Sequence, residues 1–306
     1  MHSLIRYLFQ QPYILLCGTF LFWAGNMVLG RYVSGHIPPL ALAQWRWTIA
    51  FFILLPFGYK YLRKDWRLIL GSWKYLTVLS ITGITLYNSM AYIGLTQTKA
   101  LNALLLNSTM PLWIAGWTFV LFREKLMRAQ IWGILISLIG VMTILLKGDL
   151  QKLSELSFNV GDIWVIGALI VYALYSALIR NRPAIHWMSF LTITIGVGAI
   201  LHLPFYLWEK SNGAVMVLDM ETLLAIAYVA TLPSILAYIF YIRGIELIGA
   251  NRAGVLYHLM PMFGSVLAIG LLGETPAMYH AIGYSLIICG IIASQRTRSK
   301  TSNSTD

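Results

Sequence analysis

Charge is scarce in this chain. Only 11% of its 306 residues are Asp, Glu, Lys or Arg, where a soluble domain carries about a quarter. Acidic residues are the rarest, eleven in all. There is no acidic tail and no surface laced with ion pairs. Cysteine is limited to Cys17 and Cys289. Both lie inside apolar runs, which excludes a disulfide framework and argues against a thiol site. Low-complexity tracts and a separate soluble domain are missing too, and the longest polar connection, around 147–161, is short. Nor does the chain contain a metal-binding H-E-x-x-H, a G-x-S-x-G elbow or a phosphate-cradling G-x-x-x-x-G-K-[ST]. No enzyme, cofactor or metal site is therefore expected.

What fills the chain is apolar sequence, 58% of it, in blocks of about twenty residues, the length of a helix that crosses the hydrocarbon core. The pattern predicts an all-α integral membrane protein with ten helices, at 13–31, 39–58, 73–95, 101–121, 129–147, 161–180, 187–208, 222–243, 251–272 and 277–295. The first could be taken for a secretory signal, but its apolar run is long and no small-x-small cleavage site follows within 31–39. It is read as a retained span.

Lys and Arg fall unevenly between alternate loops. Sixteen lie on the side of the N-terminus, at Arg6, the 60–74 segment, 123–128, Arg180, Arg182, Arg243, Arg252 and the 296–300 tail; five lie on the other side. By the positive-inside rule both termini are expected in the cytoplasm, which suits an even number of spans in a cell (inner) membrane. Topology thus accounts for the net charge of +11, and a nucleic-acid partner is not expected.

The two halves echo each other. At an offset of 150, Gly94 pairs with Gly244, Pro111 with Pro261, Glu124 with Glu274, Gly133 with Gly283 and Gly140 with Gly290. Gly18, Ala24 and Arg31 match Gly167, Ala173 and Arg180 at 149, and Pro56-Phe57 matches Pro204-Phe205 at 148. Five spans per unit put the second unit, 151–306, upside down relative to the first, 1–150. Inverted repeats are an architecture of transporters that alternate access around a central site.

The repeat also marks candidate residues. Pro111 and Pro261 sit mid-span and deprive the carbonyls of Asn107 and Tyr257 of their helical partners. Such breaks in matching places point to a transport site, although a kink that only shapes packing is the competing reading. Gly83 and Pro233 form a second breaker pair. Three matched positions carry Asn in the first half and Tyr in the second: Asn26/Tyr175, Asn88/Tyr238 and Asn107/Tyr257. An Asn amide donates to a carboxylate or accepts from an amine, and Tyr adds an apolar face with a polar tip. Together they suit a small amphipathic metabolite such as an amino acid, or they serve as hydrogen-bonding glue between helices. Tyr87 and Tyr172 neighbour these positions. His258 is a titratable group near the midplane, a candidate for substrate contact or proton coupling, or else a neutral structural histidine; His202 is read as structural. Arg46 lies about seven residues inside its span with no mid-membrane carboxylate in sight, so backbone carbonyls and helix ends are its expected partners in a structural or gating role, with substrate contact the second reading. Glu124 and Glu274 stand before helices 5 and 10 and are read as caps. The glycine pairs of those two helices each share one face, for close packing within the bundle or in a homodimer.

These residues resemble the EamA family of the drug/metabolite transporter superfamily over about 13–295. The likeness is carried by FLFWAGNMVLGRYV, by LALAQWRWTIAFFILL with its Arg46, and by the segments at 94–145 and 244–293 that repeat the Pro-to-Glu spacing and the Gly-rich helix. It implies ten helices in two inverted five-helix repeats, a central cavity lined by helices 1, 3, 4, 6, 8 and 9, and a small-molecule substrate moved across a lipid bilayer. The expected function is export or facilitated movement of amino acids or related compounds. Uptake and efflux of toxic compounds are alternatives within transport; a lipid-acting membrane enzyme or a non-transporting scaffold fits less well.

Overall fold

The computed structural model describes residues 6–33, 35–98, 100–155, 158–272 and 275–295. No strand occurs among the described residues. In chain order the helices are α1 (Pro12–Tyr32), α2 (Pro39–Gly71), α3 (Trp73–Ser80), α4 (Tyr87–Gln97), α5 (Ala100–Asn107), α6 (Met110–Phe122), α7 (Arg128–Leu145), α8 (Val160–Leu178), α9 (Trp187–Ser211), α10 (Met220–Thr231), α11 (Ala237–Ile248), α12 (Ala250–Val255), α13 (Leu259–Leu272) and α14 (Met278–Ser294). A π-helical turn, Ile81–Leu86, joins α3 to α4, and another, Leu232–Leu236, joins α10 to α11.

Eight helices among the described residues are long and apolar enough to cross a membrane. The expected ninth helix is split into α12, a 3-10 turn at Leu256–His258, and α13. The expected tenth, α14, is an apolar helix of 17 residues.

The halves interleave. α4 and α6 pack on α8 of the second half; in the matching places, α11 and α13 pack on α1 of the first. α2 pairs with α9, and α7 with α14. Each contact is the image of another, or of itself, under exchange of the halves. The α7–α14 seam rests on the four paired glycines. A Cβ on Gly133 would lie 2.5 Å from the carbonyl oxygen of Gly290, and one on Gly140 would lie 2.7 Å from that of Gly283. Those glycine faces pack against each other within the chain.

The expected second helix, 39–58, runs on to Gly71 as α2. The charged residues after Pro56 look like a loop in sequence, yet Gly58, Leu62, Asp65 and Ile69 recur at helical spacing, and Gly58 lies against Thr192 of α9. Asp65 accepts hydrogen bonds from the His186 N–H (2.8 Å) and the Ser189 hydroxyl (2.7 Å). At 1.5 Å per residue the helix outruns a hydrocarbon core of about 30 Å, and its last turns stand outside.

Candidate functional site

The core of the bundle is organised by its broken helices. In the first half the helix stops at Asn107 and resumes at Met110, beside Pro111. Across the break the Ser108 N–H is shared between Leu104 O and Leu105 O, the Thr109 N–H turns to Leu106 O, and the Asn107 amide donates to Ala103 O at 2.9 Å. In the second half the break is the 3-10 turn over Tyr257 and His258, ahead of Pro261. His258 joins the two: Nε2 donates to Ser108 O at 2.8 Å, and Nδ1 meets the Ser137 hydroxyl at 2.5 Å. Ser108 and His258 are themselves repeat partners, so they touch where the two halves meet.

The Gly83/Pro233 breaker pair coincides with the π-helical turns. Pro233 has no N–H for the carbonyl four residues back, Val229 O; the Ser234 hydroxyl takes that acceptor at 2.6 Å. Pro233 O is turned outward and receives Trp23 Nε1 at 3.1 Å and an Arg46 nitrogen at 3.4 Å. In the other half Gly83 lets a ring approach: a Cβ there would lie 2.5 Å from Tyr175. Gly83 O accepts the Tyr238 hydroxyl at 2.7 Å. Turns of this kind concentrate at functional sites.

Arg46 is buried among these elements. Its Nε donates to Ser234 Oγ at 2.5 Å, and its NH1 donates to Asn88 Oδ1 at 3.2 Å and the Tyr92 oxygen at 3.1 Å. The expectation of backbone partners is met at Pro233 O; the other partners are neutral side chains. Tyr92 in turn reaches Asn26 Oδ1 at 3.5 Å.

Helix α8 orders the interior like a ruler. At Ala177 it lines a vestibule of about 840 Å³, shared with Thr118, Glu124, Arg182, Glu246 and Asn251. One turn further lies a layer of buried aromatic rings: Tyr172, Tyr175, Tyr238, Tyr241, Tyr257, Trp23 and Phe20. Ser176 ties Tyr241 into it at 2.8 Å, and the Tyr172 and Tyr257 hydroxyls are buried within it. Beyond that layer, Leu169, Ala168 and Val165 line a cavity of about 40 Å³ together with Asn26, Asn88, Asn107, Tyr87 and Tyr92. At the far end Asp162 is buried. It accepts from Thr98 Oγ1, from Asn102 Nδ2 at 3.1 Å and from the Asn159 N–H at 2.9 Å.

Of the expected site residues, Asn26, Asn88, Asn107 and Tyr87 share the small cavity. Tyr175, Tyr238 and Tyr257 belong to the ring layer beside it, and the Tyr87 and Tyr172 rings, 4.4 Å apart, join the two groups. His258 stands apart, with both ring nitrogens engaged. His202 is buried against Gln44 at 3.2 Å. Glu124 pairs with Arg180 across the halves, while the cap of α7 comes from Gln130, whose side chain accepts the Met127 N–H at 2.8 Å. Glu274 lies outside the described residues. Sequence reasoning passed over Trp23, Tyr92 and Tyr241. Trp23 left a signal: it is the repeat partner of Tyr172 at offset 149, and the rings meet edge to face at 5.7 Å.

Comparison with known proteins agrees with this architecture. The sequence matches the EamA-like transporter family at residues 10–146 and again at 159–294. It is 26% identical to the uncharacterized transporter YyaM of Bacillus subtilis, over 92% of both chains. It is 21% identical to the S-adenosylmethionine/S-adenosylhomocysteine transporter of Chlamydia trachomatis, over 90% of this chain and 87% of that one. A solved crystal structure, 19% identical, superposes with a TM-score of 0.75 over 93% of this chain and 96% of the other, which shows the fold. The chain belongs to the EamA-like transporter family, and is a multi-pass membrane transporter.

Proposed function

We propose that this transporter exports, or facilitates the movement of, amino acids or related compounds by alternating access around the core between the asparagine-lined cavity and the tyrosine layer. Ten spans in two inverted five-helix repeats, 1–150 and 151–306, carry the movement. The basic end, with both termini, faces the cytoplasm of a cell whose inner membrane holds the protein. The carrying observation is the matched set of interrupted helices, 81–86 with 232–236 and 107–110 with 256–258, gathered around one core. Interrupted helices at corresponding places in two halves are where such carriers bind. Asn26, Asn88, Asn107, Tyr87 and the ring layer are the proposed contacts. Pro111, Pro261 and the π-turns set their backbone, and His258 is assigned to the joint between halves.

The relative named for S-adenosylmethionine supports a wider class, since that molecule is an amino acid bearing an aromatic base. The ring layer would suit such a group. Uptake and toxic-compound efflux use the same geometry with a different gradient or substrate.

The test is transport of a panel of labelled amino acids into proteoliposomes. Saturable movement of at least one is expected, lost in Asn107→Ala and in Tyr257→Ala at unchanged expression. Full transport in both variants would sink the assignment of this core as the site.

A further inference from the structure

We propose that the small cavity at Asn26, Asn88, Tyr92 and Asn107 seats an anionic carboxylate of the substrate, with Arg46 supplying the countercharge from behind Asn88 and Tyr92. The proposal rests on the transport reading above and narrows its substrate class to carboxylates.

The first observation is an uncompensated charge. Arg46 is only 3% exposed, and a buried ion without a counter-ion is expensive. Each of its hydrogen-bond partners is neutral: Ser234, Asn88, Tyr92 and the Pro233 carbonyl. The ion pairs found among the described residues involve His36, Arg180, Arg182 and Arg243, away from Arg46. A positive group held this way inside a span marks a place where a negative charge arrives.

The second observation is the direction of the hydrogen bonds. The Tyr92 oxygen accepts from Arg46, and its own proton is given to Asn26 Oδ1 across a long 3.5 Å. That long contact joins two residues of the cavity wall. A carboxylate oxygen placed there would accept the Tyr92 proton in a shorter, charge-assisted bond. Asn26, rotated, would present its NH₂ to the same group, and the Asn107 amide stands on the same wall. An ammonium at this place would meet Arg46 as a like charge.

The third observation is size. About 40 Å³ holds a small group and not a whole amino acid. The remainder of the substrate would extend past Tyr87 toward Tyr172, and the ring layer would part to admit it. Arg46 touches the cavity only through Asn88 and Tyr92, so it is a positioning residue and Tyr92 is the contact.

The experiment measures proteoliposome transport of three acid–amide pairs: phenylalanine, leucine and serine, each against its carboxamide. The wild type is expected to favour the acid of at least one pair by about tenfold in KM, equivalent to ~1.4 kcal/mol. Arg46→Gln is expected to bring that ratio to about one, and Arg46→Lys, which keeps the charge, to restore much of it. If Arg46→Gln fails to fold, Tyr92→Phe removes the donor alone and should flatten the ratio in the same way. A purely structural Arg46 would lower stability or maximal rate and leave the ratio intact; that result overturns the proposal. So does wild-type indifference to the carboxylate or preference for the amide, and in those cases the transport reading survives. Failure to move any member of the panel overturns both.

Discussion

The two ends of the bundle are built differently. At the basic end a vestibule of about 840 Å³ opens between the halves. The polar links across it include the exposed Glu124–Arg180 pair and the Thr118 hydroxyl, which donates to Asn251 Oδ1 at 2.8 Å. At the opposite end the halves are tied by several polar contacts, of which the one at Asp162 is fully buried. Asp162 of the second half gathers Thr98 and Asn102 of the first. Glu209 accepts the Leu40 and Ala41 N–H groups at 2.9 and 2.7 Å, at the start of α2. His36 meets Asp219 at 2.8 Å. The tyrosine layer lies between the open end and the small cavity. The wider opening lies at the basic end, and the alternating access proposed above would exchange it with the other.

The comparison breaks most visibly at Asp162. Asp162→Ala deprives Thr98 of its acceptor and should cost about 1–3 kcal/mol, the usual penalty for a stranded buried group. It should also expose the small cavity from that end, read as faster thiol labelling of a cysteine placed at Ala168. Labelling unchanged from the wild type would show that the seal lies elsewhere.

A smaller effect is expected at the basic end. The Glu124 and Arg180 side chains are 42% and 55% exposed, so Glu124→Gln should shift stability by less than about 1 kcal/mol, and by less again in high salt. A loss of several times that in a thermal melt would make this pair a latch and erase the contrast between the ends.

The smallest effect concerns acid. Asp219 caps α10, and the Thr222 N–H it accepts at 2.8 Å holds its carboxyl below the ordinary carboxylate range, with His36 adding to this. A depressed carboxyl stabilises above its unfolded pKa and ceases to as pH falls through the folded value. Asp219→Ala should therefore melt slightly earlier than the wild type at pH 6, and the gap should close toward pH 3. A gap that widened on acidification would reverse the sign.

Much of the shape was legible because breakers leave marks. Pro111 and Pro261 marked the interruptions, and Gly83 against Pro233 marked a second pair of breaks, although Pro56 and Pro204 sit inside the unbroken α2 and α9. The paired glycines of α7 and α14 announced a close seam. The partners of Arg46 were harder to read. Nothing local to Asn88 and Tyr92 of α4, or to Ser234 in the 232–236 turn, says that two separate elements bring them to one guanidinium. Trp23 and Tyr241 were lost for a similar reason: an aromatic ring in an apolar span reads equally as lipid-facing or core. The extension of α2 was missed because Lys60, Arg63, Lys64 and Arg67 were weighed as loop charge, while the stripe at Gly58, Leu62, Asp65 and Ile69 was the truer signal.

Alternating access is tested most directly by two distances in one protein. With Cys17 and Cys289 replaced, spin labels at Tyr32 and Val215 report on one end, and labels at Lys125 and Ala184 on the other. In proteoliposomes with a transported amino acid present, the account predicts two populations in each pair, the first end widening in the molecules in which the second narrows. A single unchanging distance at both ends during active transport would contradict it.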